Sequence, residues 1–178
     1  MVGNFIGDGV RGRDLSRFDE EVQRGIRFHR FIDSTTDMHP EVMEAKKLFY
    51  PTQAKYAGVV LDVVFDHLLA KHWNEFHSEP LSEFADACYL LIAQHLDDIP
   101  TRSARFYQYM STNDILTGYR NLSGIEKVFK GMDSRTSFHS QMSDSISEIR
   151  RLEPELMQYF GRFFPDLVSR CTQWRMEH

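Results

Sequence analysis

Gly58-Val59-Val60-Leu61-Asp62-Val63-Val64-Phe65-Asp66-His67-Leu68-Leu69-Ala70-Lys71-His72-Trp73 decides how this chain is read. Apolar side chains fall on nearly every side of a helix drawn through it, and a helix of that kind is normally buried. Asp62, Asp66 and His67 nevertheless interrupt the apolar run. An unpaired carboxylate in an apolar interior is too costly to stand alone. The stretch therefore predicts a central buried helix, over about 53–76, whose acids are compensated by a basic partner or a metal ion.

The rest of the chain is read outward from it. Apolar spacing is helical almost throughout, with no convincing alternating strand, and predicts one all-α domain, a compact helical bundle over 1–178. A helix is expected from Ser16 to about Thr35, with Ser16 and Asp19 as a capping-box-like pair. Phe18, Val22, Ile26, His29 and Asp33 follow one another in steps of one helical face, which points His29 and Asp33 toward the core. Pro40 opens a short helix to Tyr50, and Pro80 one to about Leu96. Two shorter helices are expected on either side of Asn113-Asp114. Ser123 and Glu126 read as a second capping box. The last region, about 136–174, reads as helical, with a new start at Pro154 and a kink or break at Pro165.

Composition narrows the function. At 178 residues the chain can bury one real core. A formal net charge of -5 carries no nucleic-acid signature. The two cysteines, Cys88 and Cys171, suit neither a disulfide framework nor a zinc motif, and a reducing cytoplasm is expected. No run approaches the roughly 18 apolar residues of a membrane span, so no membrane partner is expected. The first residues lack the basic-then-apolar pattern of a signal peptide.

The chemistry lies in two pairs spaced four apart, His29 with Asp33 and Asp62 with Asp66. Residues at i and i+4 stack one turn apart, so each pair addresses one point. If the two helices pack face to face, the pairs meet, and manganese or magnesium suits such oxygen and imidazole donors. His67 beside Asp66 is similar to the His-Asp dyad of the HD phosphohydrolases in reversed order. Gly-flanked Asp8 is a fifth candidate. The alternatives are a hydrogen-bonded core histidine and a structural ion pair between an Asp and Arg27 or Arg30. His39 reads as a cap, and His72, His77, His95 and His139 as surface residues. Arg11, Arg13, Arg17, Arg24, Arg27 and Arg30 form an early basic cluster. It reads either as a solvated mixed-charge face or as a rim for a phosphate or an acidic partner.

Several ordered blocks resemble the acyl carrier protein phosphodiesterases, helical proteins regarded as distant relatives of the HD phosphohydrolases. Gly3-Asn4, Asp8 and Val10-Arg11-Gly12 look like the family's G-N-x-x-x-D-F-V-[KR]-G. Gly25-Ile26, His29-Arg30, Ile32-Asp33, Thr36-Asp37 and Pro40 are similar to its G-I-x-x-H-R-x-I-D-x-x-T-D-x-x-P. Leu61-Asp62-Val63, Asp66-His67, Leu69 and Trp73 look like its L-D-x-x-x-D-H-F-L-x-x-x-W, and Gly131-Met132 with Arg135 a later G-M-x-x-R element. There are two departures. Gly9 stands where the family usually has Phe, and the family's opening segment with an Asn-aromatic-Leu-Ala-His motif is expected to lie upstream of Met1. The resemblance implies an HD-like bundle and metal-dependent hydrolysis of phosphopantetheine from holo-acyl carrier protein, an acidic partner. It implies Asp8, His29, Asp33, Asp66 and His67 as metal ligands and Asp8, Asp62 and Arg30 in catalysis. Arg11 and Arg17 would meet the carrier. A hydrolase of nucleotides or other small phosphoesters, and a non-catalytic helical module, are the competing readings.

Overall fold

The computed structural model describes residues 1–136 and 140–178. His139, expected at the surface, lies outside the described residues. Eleven α-helices follow in order: α1 (Val2–Ile6), α2 (Glu20–Asp37), α3 (Pro40–Lys47), α4 (Tyr50–Gln53), α5 (Ala57–Lys71), α6 (Trp73–Phe76), α7 (Leu81–Ala93), α8 (Thr101–Thr112), α9 (Ile115–Gly118), α10 (Leu122–Asp133) and α11 (Ile146–Glu177). There is no strand among the described residues, and the all-α expectation holds.

Helix α5 forms the centre. Val60, Leu61, Val63, Val64, Phe65 and Leu68 are buried with Val42 and Ala45 of α3, Ile125 and Phe129 of α10, and Leu156, Phe160 and Phe163 of α11. Phe65 packs on both Phe160 and Phe163, with ring centroids 5.4 and 5.5 Å away. Burying that many large side chains is the main stabilising term for the fold. A second cluster joins Val2 and Ile6 of α1 to Val10, Leu15, Ile26, Ile92 and Ile99. Here α1 lies backbone-to-backbone on α2. A Cβ added at Gly3 would fall 2.1 Å from the Val22 carbonyl oxygen, and one at Gly25 would fall 2.8 Å from Gly3 Cα. Only glycine allows that approach, and the approach carries Asn4, Gly7 and Asp8 over α2.

Several boundaries differ from the expectations. Helix α2 starts at Glu20, because the Asp19 carboxylate caps it by accepting from the Val22 N–H at 2.8 Å. Ser16 instead donates its N–H to Asp14. The central helix is shorter than expected, with a 3-10 turn over Ala54–Tyr56 before it and a break at His72 after it. Helix α10 starts at Leu122 without a side-chain cap bond, so the Ser123–Glu126 box does not form. Helix α11 runs through both Pro154 and Pro165. Its buried stripe of Ile149, Leu152, Leu156, Phe160 and Phe163 spans the first proline and outweighs the lost backbone bond. The helices flanking Asn113-Asp114 form as expected, and His39 caps α3 by accepting from the Glu41 N–H.

Candidate functional site

Helix α5 is not buried on every side. Val59, Asp62, Asp66 and the terminal Lys71 are its exposed residues, the first three at steps of three and four along one stripe, while His67 on another face is almost fully enclosed. The expectation of acids inside the core is corrected: the two carboxylates lie on an exposed stripe of the helix.

Protein surrounds them closely all the same. Loss of hydration pushes the Asp66 carboxyl up to about 7, and the neighbouring Asp62 charge pushes the same way. Asp62 is raised to about 6, first by loss of hydration, then by Asp37 and Asp33, against a smaller lowering by Lys46. Asp33 is raised by loss of hydration, lowered by His29, and raised again by Asp8 and Asp37. These couplings place Asp8 (after α1), Asp33 and Asp37 (α2), and Asp62 and Asp66 (α5) in one acidic zone. Asp37 was not among the candidates, although the step of four from His29 to Asp33 continues to it. Tyr119 joins from the turn after α9. Its phenol is pushed above the ordinary range by burial and then by Asp66. Lys46 and Tyr119 carried no sequence signal, since chain folding alone brings them here.

The histidines take different positions. His29 is half-buried at the margin of the zone, so the expectation that it and Asp33 point into the core is corrected: Asp33 is open to solvent. The His29 Nδ1 lies 3.3 Å from Asn4 Oδ1, and a Cβ at Gly7 would fall 2.5 Å from the ring. The ring is thus held between α1 and α2. Its Nε2 is 3.1 Å from Asp33 Oδ2, yet it is buried and makes no hydrogen bond of acceptable geometry. With Nδ1 donating to Asn4, Nε2 presents a lone pair to a carboxylate, which is repulsive unless a proton or cation lies between them. His67 Nδ1 donates to the Tyr119 carbonyl at 2.6 Å, and its Nε2 is likewise buried without a partner. Burial holds this imidazole below its ordinary range, against the opposing pull of the Tyr119 carbonyl. Its charged surroundings are Lys71, Glu153 and His72, not the acidic zone. The structure therefore brings Asp8, His29, Asp33, Asp62 and Asp66 together and sets His67 apart.

Among the described residues, no three His, Cys, Asp or Glu side chains close on one point tightly enough to grip an ion. The donor chemistry still fits a divalent cation. Asp33, Asp62 and Asp66 are all raised, with Asp8 and Asp37 among the causes and Lys46 and His29 opposing them, and the buried His29 Nε2 has no hydrogen bond although Asp33 Oδ2 is 3.1 Å away. Arg30 is committed elsewhere: its Nη2 donates to the carbonyls of Val10 and Gly12 at 3.0 and 2.8 Å, fixing the turn after Asp8. It is not paired with Asp33 or Asp37. Arg11 is exposed, and Arg17 lies over the Phe18 ring at 4.7 Å, beside a recess it shares with Asp19, Glu21 and Asp98.

A family model described as acyl carrier protein phosphodiesterase matches residues 1–167. The chain belongs to the acyl carrier protein phosphodiesterase family. Relatives bearing that name include one from Enterobacter sp. (strain 638), 35% identical over 94% of this chain and 88% of its own length. Others are from Klebsiella pneumoniae, 34% identical over 94% and 88%, and Salmonella agona, 31% identical over 97% and 90%. No solved structure matches. The family name denotes a phosphoric diester hydrolase acting on acyl carrier protein, and all the acids of the zone fall within the matched residues. No helix among the described residues is long and apolar enough to cross a membrane.

Proposed function

We propose that this protein hydrolyses the phosphodiester joining phosphopantetheine to a serine of holo-acyl carrier protein, giving apo-carrier protein and free phosphopantetheine. The observation that supports it most is the acidic zone itself. Asp33, Asp62 and Asp66 are all raised, and Asp33 stands 3.1 Å from a buried His29 Nε2 that has no hydrogen bond, in a chain of this family. A zone of that sign repels a phosphodiester unless a cation is present. The reading therefore includes a divalent ion, manganese or magnesium, with Asp8, His29, Asp33 and Asp66 as ligands. When bound, such an ion polarises phosphoryl oxygens and makes a coordinated water acidic enough to attack near neutral pH.

The chain's own residues supply the rest. Asn4 and Gly7 fix the His29 ring, as partners outside the ligand set usually do. Asp62, raised to about 6, accepts a proton from the attacking water at neutral pH, where it is mostly ionised. Water adds to phosphorus, the bond from phosphorus to the serine oxygen breaks, and that oxygen takes up a proton. Arg30 acts by holding the 10–12 turn and so the placing of Asp8. Both cysteines are free, in keeping with work in the cytoplasm.

The test is to incubate the protein with manganese and holo-acyl carrier protein and follow the carrier by mass spectrometry. Loss of the phosphopantetheine mass is expected. An unchanged carrier, with a nucleotide phosphoester turned over instead, would overturn the reading.

A further inference from the structure

Helix α8 and the end of α10 form a groove of about 660 Å³ with the opposite character to the acidic zone. Arg102, Arg105 and Arg135 line it together with Phe106, Tyr109 and Asp8. Arg102, Arg105 and Phe106 stand at i, i+3 and i+4, on one exposed face of α8. Phe106 is 46% exposed and stacks on Phe5 of α1, with centroids 6.1 Å apart and planes within 10°. The Arg135 guanidinium lies over the Tyr109 ring at 5.4 Å. Among the described residues none of these three arginines has a salt bridge. Three arginines elsewhere are ion-paired, Arg162 with Glu41, Arg170 with Asp166 and Arg151 with Glu148; what sets Arg102, Arg105 and Arg135 apart is that they share one groove. Three cations in one concavity repel one another, on a chain whose net charge is negative. That arrangement favours an anionic occupant.

The geometry points to this groove as the docking site for an acidic face of the protein substrate. The inference rests on the carrier-protein reading above and names where the carrier sits. Two observations favour a protein over a bare phosphate. The arginines come from two elements, Arg102 and Arg105 from α8 and Arg135 from just beyond α10. The exposed Phe106 at its middle offers an apolar anchor that a phosphate has no use for, whereas arginine with aromatic side chains is the chemistry of protein interfaces. Position supports it as well. Asp8 and Gly9 line the groove directly after Gly7, where an added Cβ would fall 2.5 Å from the His29 ring, so the groove adjoins the acidic zone. A carrier seated on α8 presents its modified serine there. This replaces Arg17, which sits among acids on another recess, as the leading contact.

The test is the double variant Arg102→Glu/Arg105→Glu, checked for wild-type helicity by circular dichroism. It is assayed on holo-acyl carrier protein and on bis(4-nitrophenyl) phosphate, with binding of apo-carrier protein measured in parallel. Expected are a fall in kcat/KM for the carrier of about tenfold or more, through KM, weaker apo-carrier binding, and a much smaller effect on the small diester. Arg102→Lys/Arg105→Lys retains most carrier turnover. Equal losses on both substrates, or no loss on either, overturn the docking site while leaving the hydrolase reading intact. A wild-type protein that cleaves the small diester but neither binds nor processes the carrier overturns the hydrolase reading, and this one with it.

Discussion

The two pairs of residues four apart look alike in sequence and behave differently in the fold. In α2, Asp33 faces His29, whose ring is clamped between Asn4 and the bare backbone at Gly7. In α5, Asp66 has Asp62 beside it, the only cation among the groups shifting either acid is Lys46 beside Asp62, and both carboxyls rise to about 7 and about 6. One pair is pre-assembled and partly compensated. The other is frustrated and waits for positive charge. A site that needs a cation shows the need on its less compensated side, so α5 should respond most to metal and to pH.

The largest expected effect tests that directly. Asp66→Asn should lower turnover of holo-carrier protein by about 100-fold or more, measured by mass spectrometry. The same variant should become more stable relative to wild type as pH rises. The folded Asp66 carboxyl lies above the ordinary carboxylate value near 4, so the folded state holds a proton that the unfolded chain has released. Its contribution to stability is complete below about pH 4 and lost as pH climbs through about 7. The Tm of Asp66→Asn minus that of wild type, without metal, should therefore be greater at pH 8 than at pH 5. An equal difference at both would remove the frustration argument.

The α2 pair is tested through its clamp. Gly7→Ala places a methyl 2.5 Å from the His29 ring without touching a carboxylate. Displacing the ring should lower turnover about tenfold to a hundredfold with helicity retained. Gly3→Ala, whose Cβ would meet the Val22 carbonyl at 2.1 Å, should instead loosen α1 from α2 and lower Tm. If both variants simply lower Tm, the clamp is structural only.

Metal addition compares the pairs without mutation. Manganese should raise the Tm of wild type, more at pH 8 than at pH 5, because carboxylates must be ionised to bind it. In Asp66→Asn the rise should shrink. The smallest effect is expected for Tyr119→Phe. It removes the phenol near Asp66 but keeps the carbonyl that holds His67 Nδ1, so turnover should change only a few-fold. A large loss would give the phenol a direct part in the reaction.

Much of this was legible in the chain itself. Apolar spacing defined a helical protein with α5 at its centre, and the four-residue steps singled out His29, Asp33, Asp62 and Asp66, because a helix's periodicity is a local property of the backbone. The ordered motifs from Gly3 to Trp73 carried the family. What the spacing misjudged was the direction each pair faces. Val63, Val64 and Phe65 made Asp62 and Asp66 look buried, but which stripe of a helix is left open depends on its neighbours, and α3, α10 and α11 leave that stripe uncovered. The prolines misled for a similar reason: each weakens α11 locally, and only packing against α5 shows that the helix continues. Lys46, Tyr119, the arginines of α8 and Arg135 join the site's surroundings by long-range folding. The sequence singled out the candidate groups by their spacing. Tertiary structure alone decided which of them meet, how far water is kept from them, and where positive charge is laid beside negative, since loss of hydration and electrostatics depend on distance in space.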